Sequence, residues 1–271
     1  MPIGVFDSGI GGLSVVRHIL CELPDEGVLY FGDSARVPYG TKSAQTVIRF
    51  SMENTRFLLH KGVKFLVVAC NTSSAVALPE LSRSFDIPIV GMIEPAVRQA
   101  LRMTQKGTIG VIGTRATIAS EAYTIALRSI EPSVKVISQA CPLLVPLAEE
   151  GWVSGDVPER VLKEYLEPVM DKGMDVLILG CTHYPLLKET IRKVIGPDVA
   201  IVESGEAAVV EMSDRLRESG LLRPAAASPP DCHYYVSDIP LKFKEVGERF
   251  LGCPLGSVMP VDQVDIPWYE R

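Results

Sequence analysis

Short apolar runs alternate with stretches of helical spacing along the whole chain. Residues 3–6 (IGVF), 28–31, 65–69 and 87–90 are compact apolar runs bounded by polar or turn-forming residues. Four more follow at 108–112 (TIGVI), 134–137, 176–180 (VLILG) and 199–202. Continuous apolar runs of about four to eight residues suit strands buried on both faces. Between them, Leu13, Val16 and Leu20 recur at helical spacing, as do Val47, Phe50, Phe57 and Leu58. The spacing predicts further helices over 74–84, up to about 130, 158–172, 190–195 and 207–218. Strands alternating with helices predict an α/β fold with mostly parallel sheets.

The runs repeat in order. IGVFDS at 3–8 returns as IGVIGT at 109–114, LVVACNT at 66–72 as LILGCTH at 177–183, and IPIV at 87–90 as VAIV at 199–202, each offset by about 110 residues. The repeat implies two similar α/β domains related by a pseudo-twofold axis, with the active site in the cleft between them. The expected division is 1–97 plus 208–271, carrying Cys70, and 98–207, carrying Cys181. After 218 come a Pro/Ala-rich connection at 224–230, a strand at 233–236 and a helix at 240–251 with Phe243, Val246 and Phe250 on one face. This tail is too short for a core of its own, so it is expected to pack on the first domain.

The polar residues that matter sit where apolar runs stop. The run at 65–69 ends in Cys70, Asn71, Thr72, Ser73 and Ser74, and the run at 176–180 ends in Cys181, Thr182 and His183. In open α/β sheets, ligands bind at the carboxyl ends of the strands. The first run ends in Asp7-Ser8-Gly9-Ile10-Gly11-Gly12, a strand, Gly-rich turn and helix of the kind that cradles anions. The dinucleotide fingerprint fails, because Ser14 stands at the third glycine, and Asp7 would set a negative charge beside a pyrophosphate. An acid there suits an ammonium group better. Residues 32–41 (GDSARVPYGT) form a loop holding Asp33, Arg36, Tyr39 and Gly40, either a binding loop or an ordinary connection. Residues 141–151 (CPLLVPLAEEG) bring Glu149 and Glu150 to the end of an apolar stretch, where a solvated helix end is the plain reading.

Composition narrows the chemistry. The chain has 271 residues and a formal net charge of −6. No basic patch stands out, which argues against nucleic acid or an acidic membrane as partner. No apolar run reaches the roughly eighteen residues of a membrane helix, and no export signal opens the chain, so a cytoplasmic protein is expected. The six cysteines form no C-x-x-C pair and there are only four histidines, so neither a zinc site nor a disulfide framework is expected. Cys21, Cys141, Cys232 and Cys253 are expected to be small buried hydrophobes. Cys70 and Cys181 remain. Two thiols facing one small ligand can invert a stereocentre: a thiolate removes a proton from one face and a thiol returns one to the other. No metal, flavin or pyridoxal motif is visible, so no cofactor is expected. The readings from other classes are a nucleotide-binding oxidoreductase and a non-catalytic amino-acid-binding protein.

FDSGIGGLSV, the PYG of the loop, VACNTSSA, CPLLVPLAEEG and LGCTHYPLL together resemble the glutamate racemases of the aspartate/glutamate racemase superfamily, over essentially the whole chain. The resemblance implies cofactor-independent interconversion of L- and D-glutamate, supplying D-glutamate for peptidoglycan. It implies that Cys70 and Cys181 are the two acid/bases, Cys70 for D-glutamate and Cys181 for L-glutamate, assisted by Asp7 and His183. It places a helper acid at Glu149 or Glu150, with Glu149 favoured by spacing from Pro142 and Pro146. Asp7, Ser8, Tyr39, Gly40, Asn71, Thr72, Thr182 and His183 are implied substrate contacts, with Thr114 and Thr117 as further carboxylate-binding hydroxyls. A related racemase acting on aspartate or hydantoins is the runner-up. A homodimer is left open. Family members controlled by a cell-wall precursor carry an extension before the first strand, so that control is not expected here.

Overall fold

The structure, a computed structural model, describes residues 1–224 and 231–261. Ten strands occur among them. The first four are β1 (Ile3–Asp7), β2 (Val28–Gly32), β3 (Phe65–Val68) and β4 (Ile89–Val90). The next four are β5 (Thr108–Gly113), β6 (Lys135–Ala140), β7 (Val176–Gly180) and β8 (Ala200–Glu203), followed by β9 (Cys232–Val236) and β10 (Val258–Pro260). They form two sheets, ordered β10-β9-β2-β1-β3-β4 and β6-β5-β7-β8. Every pairing is parallel. The order β2-β1-β3-β4 is repeated as β6-β5-β7-β8, so the sequence repeat is a repeat of sheet topology.

The central strands explain the apolar runs. Every residue of β1, β3, β5 and β7 is buried, as expected where helices cover both faces of a parallel sheet. The tail joins the first sheet through β9, which pairs with β2, and β10, which pairs with β9. Strand β10 was not foreseen. It is three residues long and ends in Pro260, a residue that strands tolerate at sheet edges. Most of the Pro/Ala-rich connection, 225–230, lies outside the described residues, as does 262–271.

Several helices differ from the expected bounds for local reasons. The helix after β3 begins at Asn71, not near Ser74, because Cys70 is its N-cap and its Sγ accepts from the Ser73 N–H at 3.5 Å. It stops at Val76. A second helix, Leu78–Ser84, starts with Pro79 in its first turn, where a missing N–H does no harm. After β5, helices Arg115–Ala119 and Ala122–Ile130 are separated by Glu121, which has φ 54°. The cysteine expectation needs correction too. Cys141 is buried and Cys232 half-buried, but Cys21 and Cys253 are exposed. Cys21 lies in the last turn of helix Leu13–Glu22 and Cys253 just beyond the end of helix Pro240–Leu251, so neither faces the core. Among the described residues no helix is long and apolar enough to cross a membrane.

The carboxyl ends of the two sheets meet. Gly11, in the turn after β1, packs so closely on Thr182 and the His183 ring that a Cβ there would collide with both. Ser14 Oγ donates to the Thr182 carbonyl at 2.9 Å. Tyr123, from the second half, donates from its hydroxyl to Asn71 Oδ1 at 2.7 Å. Lower on this seam, buried Glu203 takes Lys188 at 2.5 Å and His18 at 3.4 Å.

Candidate active site

A cavity of about 490 Å³ opens where the two sheets meet, within the range typical of small-molecule sites. Ser8, Tyr39, Gly40, Cys70, Asn71 and Thr72 line it from the first half, and Thr114, Glu149, Cys181, Thr182 and His183 from the second. Asp7 and Thr117 are buried and do not belong to that lining. Every sequence-predicted site residue is therefore on this cavity or just behind it.

Cys70 lies two residues beyond the end of β3, at a helix N-terminus, and is 5% exposed. Burial, reinforced by the Asp7 carboxylate, pushes its thiol up to about 11, against hydrogen bonds from Ser73 and Ser8. Asp7 ends β1 and is fully buried. Its Oδ2 accepts from the Gly9 N–H at 3.1 Å. Burial raises its carboxyl group above the ordinary range, opposed by nearby His183 and by backbone donors.

Cys181 leaves the end of β7 into a turn. Its Sγ lies 3.8 Å from His183 Nδ1, and His183 Nε2 lies 3.0 Å from Glu149 Oε1. The paired acid is thus Glu149, at the end of helix Leu144–Glu149. Burial works against the imidazolium, but hydrogen bonding to Cys181 and Glu149 outweighs it, and His183 is pushed up to about 10. A protonated imidazole here stabilises negative charge developing on the Cys181 sulfur. The edge of His183 also meets the ring of Phe250, centroids 5.1 Å apart.

Three hydroxyls meet at the seam, two of them on the cavity lining. Thr72, Thr114 and Thr117 stand 3.0–3.1 Å from one another, one from the first half and two from the second. Asp7 Oδ1, Asn71 Nδ2 and Ser73 Oγ are buried without a hydrogen-bond partner. Such atoms are few in native proteins; of the three residues, Asn71 lines the cavity, while Asp7 and Ser73 are buried outside its lining. An acceptor and amide and hydroxyl donors match a substrate bearing an ammonium and carboxylates. Tyr39 contributes differently from a hydroxyl contact. The residue is 1% exposed and its hydroxyl bonds to Asp33 and Asn54, so that hydroxyl is already engaged away from a ligand.

Sequence reasoning missed Ser14, Tyr123 and Phe250 as supports of the site. Ser14 carried a signal, since it is the residue that breaks the dinucleotide fingerprint. Phe250 was visible only as a core position, and Tyr123 had no local signal.

Two thiols at matching strand ends, one from each half, line one cavity of an α/β protein. The model of the Asp/Glu/Hydantoin racemase family matches residues 3–212, and the chain belongs to that family. It is 51% identical to the glutamate racemase of Geobacter metallireducens over 259 residues, covering 96% of each chain. The crystal structure of glutamate racemase from Francisella tularensis in complex with D-glutamate matches with a TM-score of 0.91 at 42% identity, covering 98% of each chain. That of the Thermus thermophilus glutamate racemase in complex with β-chloro-D-alanine matches with a TM-score of 0.87 at 43% identity, covering 96% of each.

Proposed function

We propose that this protein is a glutamate racemase that works by two-thiol proton transfer without a cofactor. The observation that supports this most is the placement of Cys70 and Cys181 at equivalent strand ends on one cavity. High identity to glutamate racemases over nearly the whole chain supports the substrate. Glutamate lies between the two units, 1–97 with 208–271 and 98–207. The thiolate of Cys181 takes the α-proton of L-glutamate while the Cys70 thiol delivers one to the opposite face, and the roles exchange for D-glutamate. His183, held by Glu149, supports charge on Cys181, and Asp7 acts beside Cys70. Ser8, Asn71, Thr72, Thr114, Thr117 and Thr182, with the backbone of Tyr39 and Gly40, hold the carboxylates and stabilise charge spreading from the α-carbon. The product feeds peptidoglycan synthesis in the cytoplasm.

Circular dichroism of L-glutamate incubated with the dialysed protein tests the reading. The signal should decay to zero without additions, and aspartate should be turned over far more slowly. Activity that requires pyridoxal phosphate would overturn it.

A further inference from the structure

One buried carboxylate near the cavity has no part in the chemistry above. Asp33 follows β2 and is 0% exposed. Its Oδ1 accepts from Ser237 Oγ at 2.9 Å, and its Oδ2 accepts from Arg36 Nε at 2.7 Å and from the Tyr39 hydroxyl. The Tyr39 hydroxyl in turn accepts from Asn54 Nδ2 at 3.2 Å. Arg36 donates onward to Glu53 and to Asn54 Oδ1, and its guanidinium lies over the Phe50 ring, 4.0 Å from the centroid. Ser237 also accepts from the Ala35 N–H at 3.0 Å. The 3-10 turns after β2 and the residue after β9 therefore meet at the Asp33 carboxylate, and helix Ala44–His60 holds its partners Arg36 and Tyr39.

The 3-10 turn Tyr39–Thr41 is what this network holds, and the turn reaches across to the other half. A Cβ added at Gly40 would stand 2.7 Å from Thr114 Cβ. Tyr39 and Gly40 line the cavity while the Tyr39 hydroxyl is bonded into the network. Buried ion pairs contribute little net stability compared with apolar packing of the same volume. A cluster this elaborate is better explained by the single geometry it enforces.

We propose that Asp33 is a positioning residue of the active site: through Tyr39 it sets the height of the Tyr39–Thr41 turn over the cavity, and Ser237 of the C-terminal segment helps to set Asp33. The proposal rests on the racemase reading for its kinetic test. Asp33→Asn keeps the shape but loses the charge that Arg36, Tyr39 and Ser237 recognise.

In circular dichroism kinetics, Asp33→Asn should raise KM for both enantiomers about tenfold or more and lower kcat by less. Tyr39→Phe should raise KM severalfold. The double variant should be no worse than Asp33→Asn alone, because both act through one turn. Ser237→Ala, the mildest change, should raise KM about twofold and serves if Asp33→Asn does not fold. An unchanged KM in folded Asp33→Asn or Tyr39→Phe, or additive effects in the double variant, would overturn the proposal. Hydrogen exchange gives a readout independent of substrate: amides of 39–41 should exchange at least tenfold faster in Asp33→Asn, with the strand β7 amides unchanged. Uniform loss of protection would assign Asp33 a merely structural role. Wild-type protein inert toward glutamate would defeat the racemase reading alone, leaving the exchange result to decide this one.

Discussion

The two halves deliver their thiols by the same device and then surround them with opposite chemistry. In each, a fully buried parallel strand ends in a cysteine, beside a neighbouring strand that ends one residue before a hydroxyl, Ser8 in the first half and Thr114 in the second. The repeat pairs Asp7 with Gly113 and Thr72 with His183. The charged helper thus comes from the first strand of one half and from the thiol segment of the other. Near Cys70 stands a buried carboxyl group that opposes a thiolate. Near Cys181 stands an imidazole that Glu149 helps to keep protonated. The local backbone differs as well, since Cys70 caps an α-helix and Cys181 enters a turn before the 3-10 helix Tyr184–Leu187.

The difference teaches that the repeat supplies scaffold and thiol position, while residues without counterparts give each thiol its own polar neighbours. Two-base inversion needs one thiolate and one thiol at the start of each turnover. Identical surroundings would leave that choice to chance. Here a buried carboxyl group stands beside one thiol and an imidazole beside the other, so the two surroundings are unequal.

Serine in place of either thiol breaks the comparison most severely. Cys70→Ser and Cys181→Ser should each lose roughly 10²–10⁴-fold in kcat/KM, the scale of a lost general acid or base. The loss must be equal in both directions, because enantiomers have equal free energies in water. Glutamate analogues carrying a leaving group separate the two sides, since elimination needs only the abstracting base. Cys181→Ser should still eliminate from the D-analogue and Cys70→Ser from the L-analogue. Loss of both eliminations in both variants would end the assignment of one thiol to each enantiomer.

The helpers should come next in size. His183→Asn should lower kcat/KM by roughly 10–10³-fold and Asp7→Asn by roughly 10–10²-fold, at or below the usual range for proton-transfer groups. The L-analogue elimination should suffer more in the first and the D-analogue elimination in the second. Glu149→Gln removes a partner that raises the His183 pKa. The alkaline limb of the kcat/KM profile should then move to lower pH, and an unmoved limb would remove Glu149 from the relay.

Stability against pH probes Cys70 alone. Its folded value is raised to about 11 from 9.0, so the folded state holds this proton more tightly than the unfolded chain. That contribution is fully present below pH 9 and is lost as the pH rises toward 11. Urea unfolding at pH 8 and pH 11 should show Cys70→Ala losing less stability than wild type, by up to roughly 3 kcal/mol at about 1.4 kcal/mol per unit. Equal losses would mean that the thiol is not held neutral by burial. The smallest effect is expected at the seam. Tyr123→Phe removes one hydrogen bond to Asn71, worth about 0.5–1.5 kcal/mol, and should raise KM severalfold with the thiols untouched.

Much of this was legible along the chain. Strands buried on both faces must be nearly all apolar, so β1, β3, β5 and β7 announced themselves, and a cysteine or acid that ends such a run stands at a ligand-binding edge. The repeat was visible because each copy needs the same strand order. Glu149 was favoured over Glu150 by spacing from Pro142 and Pro146, but its pairing with a histidine 34 residues later in the chain could not be read along a helix end. Burial of the remaining cysteines was misjudged at Cys21 and Cys253, because residue type states a habit and the packed helix face decides.

The sequence by itself determined the α/β alternation, the twofold repeat and the two thiols at strand ends, because each depends on near neighbours and on side-chain period. The tertiary structure alone decided which polar groups meet across the seam. Ser14 on the Thr182 carbonyl, Tyr123 on Asn71, Phe250 against His183 and Ser237 on Asp33 each join residues far apart in the chain. No local periodicity encodes such pairs. They exist because two buried sheets, once their carboxyl ends meet, leave only certain hydrogen-bond partners within reach of groups that cannot stay unpaired.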